Sequence, residues 1–223
     1  MRTVIFDLDG TLADTSGDLL VAANQCFRDM GHGDVLTPNV DAGIALRGGR
    51  MMLRHGLERV GRSDEALIDR YYPILLDVYE QAIDAHTVLY PGAMAAVADL
   101  ASAGYRVGIC TNKPERLADL LLTRLGVRDA FAGLVGADTL PVRKPDPAPL
   151  QEAVRRCGGN PAQCVLIGDS ATDRDTAQAA GVPCILVAFG PSGGDMAALE
   201  PEALLESFTD LPGLVPQLIG ANS

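Results

Sequence analysis

Val4-Ile5-Phe6-Asp7-Leu8-Asp9-Gly10-Thr11 sets a short apolar run directly against an Asp-x-Asp-Gly-Thr turn. Alternate side chains of a strand share a face, so an Asp-x-Asp pair leaving a strand end aims both carboxylates into one cleft. At about 4 Å and an effective dielectric near 20 their repulsion is on the order of 4 kcal/mol, so the cleft must hold a cation, a shared proton or both. A divalent metal is the first candidate.

Outward from this stretch, strand-like apolar runs recur at Arg106 to Cys110, Gly133 to Val135, Cys164 to Ile167 and Cys184 to Val187, with helical stretches between them. Strand and helix alternation from Tyr90 onward predicts an α/β fold, a parallel sheet covered on both faces with its ligand cleft at the carboxyl ends of the strands. Asp7 and Asp9 fall at that cleft. Between Asp14 and about Val88 the pattern changes: Leu19, Leu20, Ala23 and Phe27, then Leu67, Ile68, Tyr71, Tyr72 and Leu75, recur at helical spacing with no strong strand. The expectation is a core of residues 1–14 and 88–223 interrupted by a helical domain over 15–87. Thr37-Pro38 reads as a helix start with Thr as cap, Tyr90-Pro91-Gly92 as the return to the core, and Gly220 to Ser223 as a frayed end.

Bulk properties narrow the function classes. At 223 residues and 48% hydrophobic the chain can bury a sizeable core, and no apolar stretch approaches the ~20 residues that span a bilayer. Met1 to Phe6 leaves no room for the apolar core of a signal peptide, so a cytoplasmic protein is expected. A net charge of -11 argues against nucleic acid or an anionic membrane surface as partner. Five widely spaced cysteines (Cys26, Cys110, Cys157, Cys164, Cys184) read as reduced, buried thiols, and His32, His55 and His86 lack zinc-ligand spacing.

An anionic substrate therefore needs a local positive pocket. Of eighteen basic residues only Lys113 and Lys144 are lysine, and each precedes a proline, which places it at a loop or an element boundary. A compact ammonium suits a point charge that must touch a carboxylate and a phosphate together. Three further segments end strands with polar groups. Thr111-Asn112-Lys113-Pro114 offers a hydroxyl and helix-start amides for a phosphate; Arg143-Lys144-Pro145-Asp146-Pro147 offers Lys144; Gly168-Asp169-Ser170, with Asp173 four residues beyond Asp169, offers more carboxylates. Taken singly, Asp169 and Asp173 are ordinary helix-start acids, and Thr111-Asn112 an ordinary cap.

Together, Asp7-Leu8-Asp9-Gly10-Thr11, Thr111-Asn112, Lys144-Pro145 and Gly168-Asp169-Ser170 with Asp173 resemble the four motifs of the haloacid dehalogenase superfamily of phosphatases. Thr111 to Pro114, Lys144 to Leu150 and Val165 to Gly181 are most similar to its phosphoglycolate phosphatase branch. The resemblance implies a Rossmann-like core with an inserted helical cap domain, and a magnesium-dependent phosphatase working through an aspartyl phosphate. It implies Asp7 as nucleophile and metal ligand and Asp9 as acid–base residue that binds the metal through its backbone carbonyl. It further implies Asp169 as metal ligand, with Lys144, Thr111 and the amides near Gly10 and Asn112 on the phosphoryl oxygens. Ser170 and Asp173 would support them, Asp173 by orienting Lys144 or metal-bound water. Asp9 favours phosphate over halide, since the superfamily's dehalogenases lack an aspartate there; the absence of lysine from the helical domain argues against the phosphonate-cleaving relatives, whose Schiff-base lysine lies in the cap.

For the leaving group, Arg47-Gly48-Gly49-Arg50 is the most suggestive stretch. Arg47, Arg50 and Arg54 are expected on one helical face, with Arg47 clamping a carboxylate such as that of 2-phosphoglycolate. A solvated basic face is the competing reading. The partner is a small-molecule phosphate ester, and the protein a monomer or homodimer. A sugar-phosphate phosphatase, a pyrophosphatase and a phosphomutase of the same superfamily stay open, as does a non-enzymatic phospho-aspartate switch like a receiver domain, though receivers are shorter and carry no inserted cap.

Overall fold

The computed structural model describes residues 1–190 and 195–221. In chain order the strands are β1 (Thr3–Phe6), β2 (Ala13–Asp14), β3 (Val88–Leu89), β4 (Arg106–Cys110), β5 (Gly133–Val135), β6 (Cys164–Gly168), β7 (Cys184–Val187) and β8 (Ala203–Leu205). The helices are α1 (Ser16–Asp29), α2 (Pro38–Ala45), α3 (Gly49–Arg59), α4 (Glu65–Gln81), α5 (Ala93–Ser102), α6 (Glu115–Arg124), α7 (Ala148–Arg156), α8 (Ala171–Ala180) and α9 (Leu211–Ile219). The chain divides into two compact units, Met1–Ala13 with Leu89–Ser223, and Asp14–Val88.

The first unit is built on a six-stranded sheet of order β5-β4-β1-β6-β7-β8, every pairing parallel. β1 sits centrally with Phe6 opposite both Ile109 and Ile167, so the chain leaves β1, β4 and β6 at one level. Because parallel strands are covered on both faces, the central strands are largely apolar: Val4, Ile5 and Phe6 are fully buried, as are Val165, Leu166 and Ile167. Ile5, Cys110, Leu166, Cys184 and Leu186 pack with Leu150, Ala153, Val154 and Cys157 of α7 and its flank and with Ala177 of α8. Helices α5 and α9 pack against each other, α5 against β4 and α9 against β6. All five cysteines are free and buried, and no helix among the described residues is long and apolar enough to cross a membrane.

β8 was not expected. Ala203-Leu204-Leu205 is too short to announce a strand, and becomes one by pairing Leu204 with Leu186 at the sheet edge. The expected fraying is also corrected for Gly220 and Ala221: Tyr105 Oη donates to the Gly220 carbonyl (2.7 Å) and Arg2 Nη1 to that of Ala221 (2.6 Å). Asn222 and Ser223 lie outside the described residues.

In the second unit α1 packs against α2, α3 and α4, and Leu20, Ala23 and Phe27 of α1 are buried with Ile68 and Leu75 of α4. Thr37 precedes α2, but the cap runs in the opposite sense to that expected: Asp41 accepts from the Thr37 backbone N–H (2.7 Å). Arg47 departs from its expected place too. It is exposed in the turn between α2 and α3, where Gly48 takes φ 98°, a left-handed conformation that breaks the helix and separates Arg47 from Arg50 and Arg54 on α3. Those two are engaged by α4: Arg50 pairs with Asp69, and Arg54 grips Glu65 through Nε and Nη2, each at 2.9 Å. Gly49 makes room for Tyr72 and Leu75, whose side chains would lie 3.1 and 3.0 Å from an added Cβ. Its role there is helix packing.

Candidate active site

The polar residues at the carboxyl ends of β1, β4 and β6 meet. The Asp7 N–H extends the ladder by donating to Ile167 (2.8 Å), and the chain then turns back, the Leu8 carbonyl accepting from Leu12 (3.0 Å) and Ala13 (3.2 Å). Gly10, buried at φ 81°, lets this turn close. Thr111 begins where β4 ends, its N–H donating to Val135 of β5 (3.0 Å). After β6, Ser170 caps α8 and presents Asp173 in the first turn. Asp173 lies so close beneath the end of β6 that a Cβ on Gly168 would stand 2.3 Å from its side chain, which requires glycine there.

Lys144 is the centre of the buried charge. Its Nζ lies 2.6 Å from Asp173 Oδ1 and 3.1 Å from Asp7 Oδ2. Its own carbonyl accepts from Asn112 Nδ2 (3.0 Å), which ties the Lys144 loop to the end of β4. The Asp173 carboxylate is fully buried and also accepts from Ser170 Oγ (2.6 Å) and the Asp169 N–H (3.3 Å). Asp169 accepts from Thr11 Oγ1 (3.2 Å). Burial would lower the Lys144 pKa, but Asp173 and Asp7 outweigh it and hold the ammonium charged well above the usual range. For Asp7 burial prevails and works against the charged form. Burial pushes its pKa up to about 6, against the pull of Lys144, with Asp173 and Asp9 adding to the rise.

The sequence marks Lys113 by its position before a proline but does not show its contact with Asp9. Its Nζ lies 2.7 Å from Asp9 Oδ1, and the lysine is 7% exposed. The pair joins residues 104 apart, which no local pattern reveals; the signal that existed was a second Lys-Pro in a chain that otherwise uses arginine.

Of the residues singled out in the sequence, Asp7, Asp9, Gly10, Thr111, Asn112, Lys144, Asp169, Ser170 and Asp173 all lie in the first unit; Arg47 belongs to the second. Single carboxylate oxygens of Asp7, Asp169 and Asp173 lie within 4.8 Å of one another. Four carboxylates, Asp7, Asp9, Asp169 and Asp173, face two ammonium groups, which leaves two negative charges in a largely buried space. An all-oxygen donor set with that deficit fits a hard divalent cation.

The model of the haloacid dehalogenase-like hydrolases matches residues 1–181. The chain belongs to this family. It is 39% identical over 212 residues to a phosphoglycolate phosphatase of Mesorhizobium japonicum, covering 93% of this chain and 92% of that protein. It is 38% identical over 218 residues to that of Rhodospirillum rubrum, covering 94% and 89%. Among solved structures, one described as a predicted phosphoglycolate phosphatase from Haemophilus somnus superposes with a TM-score of 0.84 at 23% identity, covering 96% of this chain and 97% of that one. CbbY from Rhodobacter sphaeroides, solved with phosphate, gives 0.76 at 23%, covering 95% and 96%. At such identities the structural likeness speaks for the fold alone. This hydrolase is an enzyme of the haloacid dehalogenase-like fold.

Proposed function

We propose that the protein is a magnesium-dependent phosphatase that hydrolyses a small phosphate monoester, 2-phosphoglycolate foremost, through a phosphate ester of Asp7. The observation that carries this reading is the pairing of Asp7 with Lys144 while Asp9, two residues on, pairs with Lys113. The two aspartates thus have different surroundings. Relatives at 38–39% identity over more than nine-tenths of the chain bear the name phosphoglycolate phosphatase, which supports the substrate.

The Asp7 and Asp169 carboxylates and the Asp9 carbonyl would hold the Mg2+. Bound there, the ion offsets charge on the phosphoryl oxygens and on Asp7. Ionised Asp7 attacks phosphorus in line; an Asp7 O–P bond forms as the bond from phosphorus to the leaving oxygen breaks. Asp9 gives that oxygen its proton. It then takes a proton from water, whose oxygen bonds to phosphorus as the Asp7 O–P bond breaks and inorganic phosphate departs. Lys144, held by Asp173, and the Thr111 hydroxyl donate to the phosphoryl oxygens, with the N–H groups near Gly10 and Asn112. Phosphoryl transfer is chiefly positioning and charge stabilisation, so these donors carry much of the rate. Arg47 is assigned the substrate carboxylate.

The test is kcat/KM for 2-phosphoglycolate, hexose phosphates, nucleotides and pyrophosphate, with Mg2+ and with EDTA. Turnover of 2-phosphoglycolate should stand highest and vanish with EDTA. Asp7→Asn should lower it by about 10⁴-fold or more; near-native turnover would remove the covalent route. Arg47→Ala should raise KM for 2-phosphoglycolate about tenfold and spare p-nitrophenyl phosphate. Equal effects on both would remove the clamp.

A further inference from the structure

We propose that Lys113 is a positioning residue that holds the Asp9 side chain where the leaving-group oxygen must receive its proton; this rests on the reading of Asp9 as the acid. Three observations carry it. The first is the 2.7 Å contact between Lys113 Nζ and Asp9 Oδ1, with the lysine side chain 4% exposed and that of Asp9 13%. An ammonium so placed fixes one carboxylate oxygen and thereby the direction of the other.

The second is how rigidly the root of Lys113 is held. Its N–H donates to Thr111 Oγ1 (3.1 Å) and its carbonyl accepts from the Ala137 N–H (2.9 Å). Pro114 follows as the N-cap of α6, and the Glu115 N–H donates to Asp138 Oδ1 (2.8 Å). The loop after β5 presses on this start so closely that a Cβ on Gly136 would stand 2.3 Å from the Glu115 nitrogen. A lysine loses considerable side-chain freedom on ordering, and a root fixed on both sides is one way a fold makes that ordering specific.

The third is division of labour. Lys144 is already engaged by Asp7 and Asp173, so the fold supplies a second buried lysine, from another loop, for the second aspartate of the motif. The chain has no third.

General acid help matters most when the departing oxygen is strongly basic and least when it leaves readily as an anion. The test compares wild type with Lys113→Met on 2-phosphoglycolate, on ethyl phosphate and on 2,4-dinitrophenyl phosphate. Lys113→Met should lower kcat/KM, which reports the steps up to departure of the leaving group and not the later hydrolysis in which Asp9 also serves, by about 10²-fold on both alkyl phosphates and by less than about fivefold on the dinitrophenyl ester. Lys113→Arg should recover at least tenfold of the alkyl loss. If Lys113→Met does not fold, as judged by its thermal unfolding, Lys113→Gln takes its place in the same comparison. An equal loss on all three esters would overturn the proposal, since a lysine acting on the transferred phosphoryl group or on the fold makes no distinction among them. A loss confined to 2-phosphoglycolate would overturn it in favour of a carboxylate receptor, and no loss would overturn it outright. A wild-type protein with no turnover of any ester would instead overturn the phosphatase reading, and the Lys113 role with it.

Discussion

Two lysines meet the two aspartates of Asp7-Leu8-Asp9, and their surroundings differ. Lys144 is wedged between Asp7 and a fully buried Asp173, which is itself held by Ser170 and the Asp169 N–H. Lys113 reaches Asp9, whose side chain, 13% exposed, is about as open as the 14% of Asp7, so the difference lies in the buried Asp173 on the Lys144 side. The same chemical group is thus built once between two carboxylates, one of them fully buried, and once against the second aspartate of the motif. The first arrangement fixes charge; the second orients a group that has to move protons.

The largest expected effect would break this contrast if it failed. Lys144→Met leaves Asp173 buried with no cation, which should cost about 3–5 kcal/mol of stability, whereas Lys113→Met should cost about 1 kcal/mol because Asp9 can turn toward water. Urea unfolding of both variants without metal checks this, and equal losses would erase the distinction.

A smaller effect sharpens it by asking which carboxylate the fold holds at a cost. Asp7 has a pKa near 6 through burial, above its unfolded value of 3.8. Its raised folded pKa stabilises the protein below about pH 3.8, and that contribution is lost as pH rises through 6. Asp7→Asn should therefore stabilise the metal-free protein at pH 8 by about 1–3 kcal/mol, with the advantage fading below pH 4. Thermal unfolding in EDTA across that range measures it; an Asp7→Asn protein less stable than wild type at pH 8 would reverse the assignment.

Much of the architecture was legible because the core strands advertise themselves. Val4 to Phe6 and Cys164 to Ile167 are buried on both faces and read as unbroken apolar runs. β8 did not, since three residues become a strand only through their neighbour β7. The residues that gather at the strand ends were legible for a related reason: parallel strands bring their carboxyl ends together, so polar residues after β1, β4 and β6 fall at one level. The Lys113–Asp9 pair was not, because nothing local says which of several nearby acids a lysine 104 residues away will choose. The expected helical face of Arg47, Arg50 and Arg54 fails at Gly48, whose left-handed φ ends the helix register before α3 begins.

The five thiols supply the means to time how each part opens. Burial pushes the pKa of Cys26 and Cys157 up to about 11 and those of Cys110 and Cys164 to about 12, with Cys184 higher still. Thiolate is the reactive form, so alkylating reagents should ignore the folded chain and mark each cysteine only when its surroundings part. Cys26 lies in the helical unit and the other four in the sheet unit. Mass spectrometry of labelled peptides would then read two separate unfolding clocks from one native sequence, with no probe introduced.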